Sequence, residues 1–429
     1  MGILVILLLI LVALLGAPLF AVIAASAMYG FWQEEIDLSV IGIELYRLAE
    51  MPVLVAIPLF TFAGYVLGES RAPQRLVRLT NAWLGWMPGG LAIVALTACA
   101  FFTALTGASG VTIVALGALL YPALKQANYP LRFNLGLITT SGSLGLLFAP
   151  SLPLILYGVV VQQLNIGPPV SIDDLFLAGI LPGMLMLVML SLYSAWVARD
   201  IPGEVRPFDR SEALAATREA VWEMPLPLVI LGGIYSGYFA VSEAAAVTAL
   251  YVLIVHVLIL REIPFRKLPS VMRESMLLVG GILAILGVSL ASTNYMIDQE
   301  VPTRVFDTIK QYVDSPWTFL ILLNLFLLVL GTMLDIFAAL VIVIPIILPI
   351  ALNYGVHPVH LGIVFLANMQ IGYFTPPVGM NLFIASYRFN QPVMTLYRAT
   401  LPFFFILFGA VLLITYWPAL SLVWLDTTP

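Results

Sequence analysis

Long apolar stretches near residues 3–31, 52–68, 88–124, 134–163, 176–198, 225–260, 276–296, 317–351, 361–386 and 400–424 dominate this sequence. A membrane-spanning helix takes about 20 apolar residues, and no aqueous core accommodates so many of them. With 62% hydrophobic and 10% charged residues, the chain reads as an all-α polytopic membrane protein. Several stretches are too long for one helix and carry Pro or Gly inside, so they predict helical hairpins or broken helices. The lone Cys99 excludes a disulfide framework. No basic cluster suggests nucleic acid.

The first basic residue is Arg47. The opening stretch therefore lacks the basic start of a secretory signal and reads as a mature segment with its N-terminus outside. Threading the stretches through a bilayer leaves only Arg47, Arg304 and Lys310 on the outer side among 18 Lys and Arg, in line with the positive-inside rule. Residues 38–50 read as an amphipathic interface helix. Arg199, Arg206, Arg210 and Arg218 mark a central cytoplasmic linker.

A shift of 227 lays LGLLFAP, ending at Pro150, over IGYFTPP, ending at Pro377, with Gly145 on Gly372. The same shift lays Pro122 on Pro349. Each half then has a hairpin, a crossing, a re-entrant hairpin, a broken crossing and a last crossing. The expected architecture is an inverted repeat, residues 1–215 and 216–429, with two re-entrant hairpins and two broken helices. Secondary transporters are commonly built this way.

Proline cannot donate to the carbonyl four residues earlier. Pro376 and Pro377 should release the carbonyls of Gly372 and Tyr373, and Pro150 and Pro153 those of Leu146 and Ala149. Non-helical backbone at membrane depth persists only where protein, water or an ion satisfies it. A proline in such a helix is commonly a kink; its recurrence at matched points favours a binding site. Beside each break lies a candidate hairpin tip: FFTALTGASGVT, residues 101–112, and VLGTMLDIFAAL, residues 329–340. Their hydroxyls and carbonyls could form two quasi-equivalent cation sites, and helix N-termini there would favour a carboxylate. Asp335 and Glu243 are the acidic residues placed within membrane stretches, Asp335 at the second tip and Glu243 as a helix cap. His256, His357 and His360 lack metal-ligand spacing, and the last two read as loop residues. An intramembrane aspartyl hydrolase would need a second carboxylate beside Asp335, and a channel would not need broken helices in both halves.

TGASGVT, GLLFAPSLPLILYG, GTMLD and GYFTPPVGMNLF together resemble the large membrane subunit of tripartite ATP-independent periplasmic (TRAP) transporters, the DctM-like family, along essentially the whole chain. That resemblance implies a sodium-coupled, elevator-type importer of organic acids in the bacterial inner membrane. It also implies a small four-helix membrane subunit, expected as a separate chain, and a periplasmic substrate-binding protein. Carried over by position, one sodium site would use Thr103, Thr106, Gly145, Phe148 and Pro150; the other would use Gly331, Gly372, Thr375 and Met380. Ser109, Ser141, Asp335 and Asn381 would lie near the substrate path. A stand-alone sodium/dicarboxylate symporter of similar architecture is the alternative expectation.

Overall fold

The computed structural model describes residues 2–199, 201 and 207–425; Arg206 of the expected linker lies outside them. Helices and their connections make up the described residues, without a strand. Seven helices are long and apolar enough to cross a membrane, or eight if the bent pair Leu131–Leu147 and Leu152–Leu164 counts as one span. The all-α polytopic reading of the sequence therefore holds.

Interrupted stretches break where turn chemistry demands it. The first stretch divides into Gly2–Leu14 and Leu19–Gln33 around Gly16 and Pro18. Residues 88–124 divide into Gly90–Thr106, Ser109–Ala115 and Gly117–Gln126. Gly107 takes φ +67 there, a conformation that side chains oppose. Thr103 and Thr112 hydroxyls meet at 2.7 Å across the break, so the chain doubles back. Residues 225–260 divide into Pro225–Tyr235 and Val241–Leu253, and the Glu243 carboxylate accepts from the Ala240 amide at 2.9 Å. Glu243 is thus a capping residue of its own helix. Residues 317–351 divide into Pro316–Met333 and Ile336–Asn353 at the extended pair Leu334 and Asp335.

Leu268–Asp298 has 31 residues, about 46 Å at the helical rise. It is longer than the hydrocarbon core and must tilt or project beyond it. The amphipathic Ser39–Ala49 packs along it. His357 is a loop residue, as expected, and caps Pro358–Gly372, but His360 is not: it is buried inside that helix, paired with the Ser421 hydroxyl and the Thr415 carbonyl. Burying an imidazole requires such partners, and helix periodicity alone does not reveal them.

One face of the molecule is clasped by charge. The Arg75 guanidinium, on the helix Ala72–Leu84, is buried between Glu223 and Glu262, with Nε donating to Glu223 at 2.7 Å. The imidazole of His256, in the π-helical turn Ile254–Ile259, lies 3.1 Å from the other Glu262 oxygen, which also accepts from the Arg71 amide. Burial would raise the Glu262 pKa, but Arg75, His256 and the Arg71 amide together hold it down at about 2. Arg78 pairs with Glu212 and Glu219 on the linker helix Arg210–Glu219.

Candidate functional site

Each broken helix presses a glycine against the first arm of an interrupted pair. A β-carbon on Gly145 would sit 2.2 Å from the Ala100 carbonyl, and one on Gly372 2.5 Å from Cα of Gly331. Only glycine permits approaches this close. Pro150 and Pro377 each follow a cis peptide bond, from Ala149 and Pro376.

Backbone satisfaction at the breaks corrects one expectation. Three of the four carbonyls freed by proline are not left open: Leu146 accepts from the Ser151 hydroxyl, Gly372 from the Thr375 amide at 3.0 Å, and Tyr373 from the Asn381 amide at 2.9 Å. Each carbonyl has a second lone pair, so one acceptor direction per carbonyl remains for an ion or water.

The two breaks meet. The Ser143 hydroxyl donates to the Gln370 carbonyl at 3.1 Å. Ser109, first residue of the second arm at the 107–108 break, donates to Asn381 Oδ1 at 2.8 Å, while Asn381 Nδ2 reaches the Thr139 carbonyl at 3.3 Å. Asn381 is fully buried and joins a hairpin arm and both broken helices. Ser141, also buried, donates back to Ile138 of its own helix and stands outside that group.

Of the residues expected at the first ion site, Thr103 bonds to Thr112 and to the Gly142 carbonyl. The hydroxyl of Thr106 is buried without a hydrogen-bond partner, as is that of Thr140 in the broken helix. Orphaned buried oxygens are uncommon and costly, and here they suit a cation ligand. The Phe148 ring lies against Gly183, and Pro150 is buried at the break. At the second site, Thr375 donates to the Ile371 carbonyl at 2.8 Å and keeps its lone pairs. The Gly379 amide donates to the Thr332 carbonyl at 2.9 Å, and Met380 is exposed at the helix start that follows.

Asp335 caps Ile336–Asn353, with one oxygen accepting from the Phe337 amide at 3.0 Å and the other from the Tyr373 hydroxyl at 2.9 Å. Tyr373 in turn accepts from the Ile336 amide at 2.9 Å. Tyr373 thus ties the second break to the second tip, a role the sequence reading missed. Its signal was available, since it stands inside the repeated motif beside Gly372. Among the described residues no cluster of His, Cys, Asp or Glu could hold a metal ion. Hard monovalent cations, held by backbone and hydroxyl oxygens, are the ions that the donor set fits.

Paired helix breaks, each beside an interrupted helix pair and joined to each other through Ser143 and Gln370 and through Ser109 and Asn381, are the arrangement of a polytopic membrane transport protein. Comparison with known proteins agrees. The sequence model of the tripartite ATP-independent periplasmic transporter, DctM component, matches residues 3–420, and the chain belongs to that family. It is 35% identical to the C4-dicarboxylate TRAP transporter large permease protein DctM of Pseudomonas aeruginosa, over 89% of this chain and 88% of that one. It is 30% identical to the 2,3-diketo-L-gulonate TRAP transporter large permease protein YiaN of Escherichia coli, over 95% of each chain. Among solved structures, the YdaH transporter of Alcanivorax borkumensis superposes with a TM-score of 0.62 at 14% identity, covering 89% of this chain and 88% of that one. That likeness bears on the fold alone. The relatives are named as permease subunits, and this chain is a transporter subunit rather than an enzyme.

Proposed function

We propose that this chain is the large subunit of a sodium-coupled, binding-protein-dependent importer of a carboxylate-bearing solute. One observation supports the reading: two broken helices, each seated by a glycine on an interrupted helix pair, meet through the Ser143–Gln370 hydrogen bond, and the buried hydroxyls of Thr106 and Thr140 stand without partners. Sodium ions at the two breaks would order the tips, and the solute carboxylate would bind between them near Ser109, Asn381 and Asp335. Relatives named for C4-dicarboxylates and diketogulonate support an organic acid as solute.

In this reading the halves 1–215 and 216–429 are inverted repeats, and their tips and breaks form a core that slides as an elevator. The scaffold comprises the stretches 3–31, 38–50 and 225–260, where a small four-helix subunit docks. A periplasmic protein delivers the solute, and the assembly sits in a bacterial inner membrane.

The test is uptake of labelled organic acids into proteoliposomes holding this chain and its small subunit, with and without an inward sodium gradient and the binding protein. Uptake requiring both supports the proposal. Sodium-driven uptake without the binding protein points to a stand-alone symporter, and uptake indifferent to sodium removes the ion sites.

A further inference from the structure

The arms of the second interrupted pair diverge. Pro316–Met333 packs mainly on Pro358–Gly372, and Ile336–Asn353 mainly on Leu152–Leu164. Between the arms, beneath the helix Val301–Lys310 and the turn after it, lies a cavity of about 510 Å³. Val305, Ile309, Leu323, Phe326, Ile347 and Ile350 line it, and its wall is almost wholly apolar. It is open on one side, where Tyr312, Leu322 and Phe326 stand exposed, so an occupant from outside the chain would complete the dispersion contacts of its apolar wall.

Three features identify the occupant. Tyr312 on the lining is 82% exposed, and Trp317, two residues before the lining Phe319, is 63% exposed and stacks on Tyr416 with centroids 5.0 Å apart. Such aromatic rings mark the headgroup level of a bilayer. The helix Val301–Lys310 turns Val305 and Ile309 to the cavity and carries Arg304, Asp307 and Lys310 exposed, the pattern of a helix lying in a membrane interface. Arg304 stands one turn before Thr308, which lines the cavity, and makes no ion pair among the described residues. The volume separates the candidates, because a protein helix about 10–12 Å across would fill it within about one turn. A thin, flexible hydrocarbon chain fits.

We propose that this cavity holds one acyl chain of a phospholipid whose phosphate is met by Arg304. The lipid stands between the helix Val301–Lys310 and the pair that carries Gly331 and Asp335. It fills the wedge that the diverging arms leave open. The site is independent of the ion and solute sites.

Native mass spectrometry of the chain, released from membranes in mild detergent, should show one phospholipid retained. Leu323→Trp and Ile347→Trp, which narrow the cavity, should remove most of it. Arg304→Gln, which spares the cavity but loses a charge-assisted contact, should cut retention about tenfold. Leu192→Trp, on an exposed face of another helix, should leave retention unchanged. No retained lipid in the parent chain, or equal retention in all variants, overturns the proposal. Labelling the parent chain in nanodiscs with an acyl-diazirine phospholipid decides the matter even if the tryptophan variants fail to fold. Adducts concentrated within residues 305–326 and 346–350 support the site, and adducts spread over all exposed helices overturn it. A photo-crosslink from Leu322 to a polypeptide would assign the cavity to a protein partner instead.

Discussion

Ser143 donates to the carbonyl of Gln370, and the two residues are separated in sequence by 227, the same shift that lays Pro150 on Pro377. Two residues that are each other's counterparts under a duplication can touch only near the axis relating the copies. The contact therefore supports the inverted-repeat proposal, in which the axis would pass between the breaks. It also makes the breaks one packed unit. Spin labels at Val114, Met333 and Tyr238, all exposed, test whether that unit moves as a body. An elevator predicts a fixed Val114–Met333 distance while both distances to Tyr238 shift when sodium and solute are added. A changing Val114–Met333 distance would mean that the halves rock apart instead.

Thr106→Val probes the first ion site. The Thr106 hydroxyl is buried and unpartnered, a condition that costs about 1–3 kcal/mol. Without sodium, the isosteric valine should leave the melting temperature unchanged or raise it. The stabilisation that sodium gives the parent chain should shrink. A full sodium-induced shift in the variant would remove Thr106 from the ligands.

Gly145→Ala and Gly372→Ala force a β-carbon into backbone at 2.2 Å and 2.5 Å. Overpacking of this kind costs about 1–3 kcal/mol, and here it separates a break from its supporting arm. Both variants should lower the melting temperature and lose uptake in larger proportion. Normal uptake from either would show that the seat is not needed for the ion site.

Thr375→Ala should weaken sodium dependence more than expression, because it removes a hydroxyl that keeps lone pairs beside the second break. A sodium titration of uptake checks this, and an unaltered titration would clear Thr375 of any role.

Acid should weaken the charged clasp. Glu262 is held at about 2 in the folded chain against an ordinary value of 4.5. Its contribution to stability is complete above the ordinary value and is lost as pH falls from about 4.5 towards 2. Glu262→Gln should flatten that part of a stability-against-pH curve. Arg75→Gln, which leaves the buried Glu223 and part-buried Glu262 carboxylates without their cation, should cost about 3–5 kcal/mol at neutral pH. An Arg75→Gln melting curve matching the parent would show that the pairing contributes little.

The sequence exposed the broken segments because proline and glycine act locally: Gly145 and Gly372 stood out within a repeated heptapeptide. It did not show where the freed carbonyls go, since Thr375 and Asn381 satisfy them through a turn whose course depends on packing. Asp335 was visible as a charge in an apolar stretch, but its Tyr373 partner looked like packing material. The Arg75, Glu223, Glu262 and His256 cluster was illegible for another reason. Its members lie on segments that only the tertiary fold unites, and Glu223 stands just before an apolar stretch, where an acid reads as a loop residue.

The clasp has a consequence for how the chain is made. Arg75 precedes Glu223 by 148 residues and Glu262 by 187. Domains and segments emerge from the ribosome N-terminal first, so the first half enters the membrane with this guanidinium unmatched and hydrated. Its desolvation must wait for residues near the chain's middle and beyond, which makes closure of that face a late step of biogenesis.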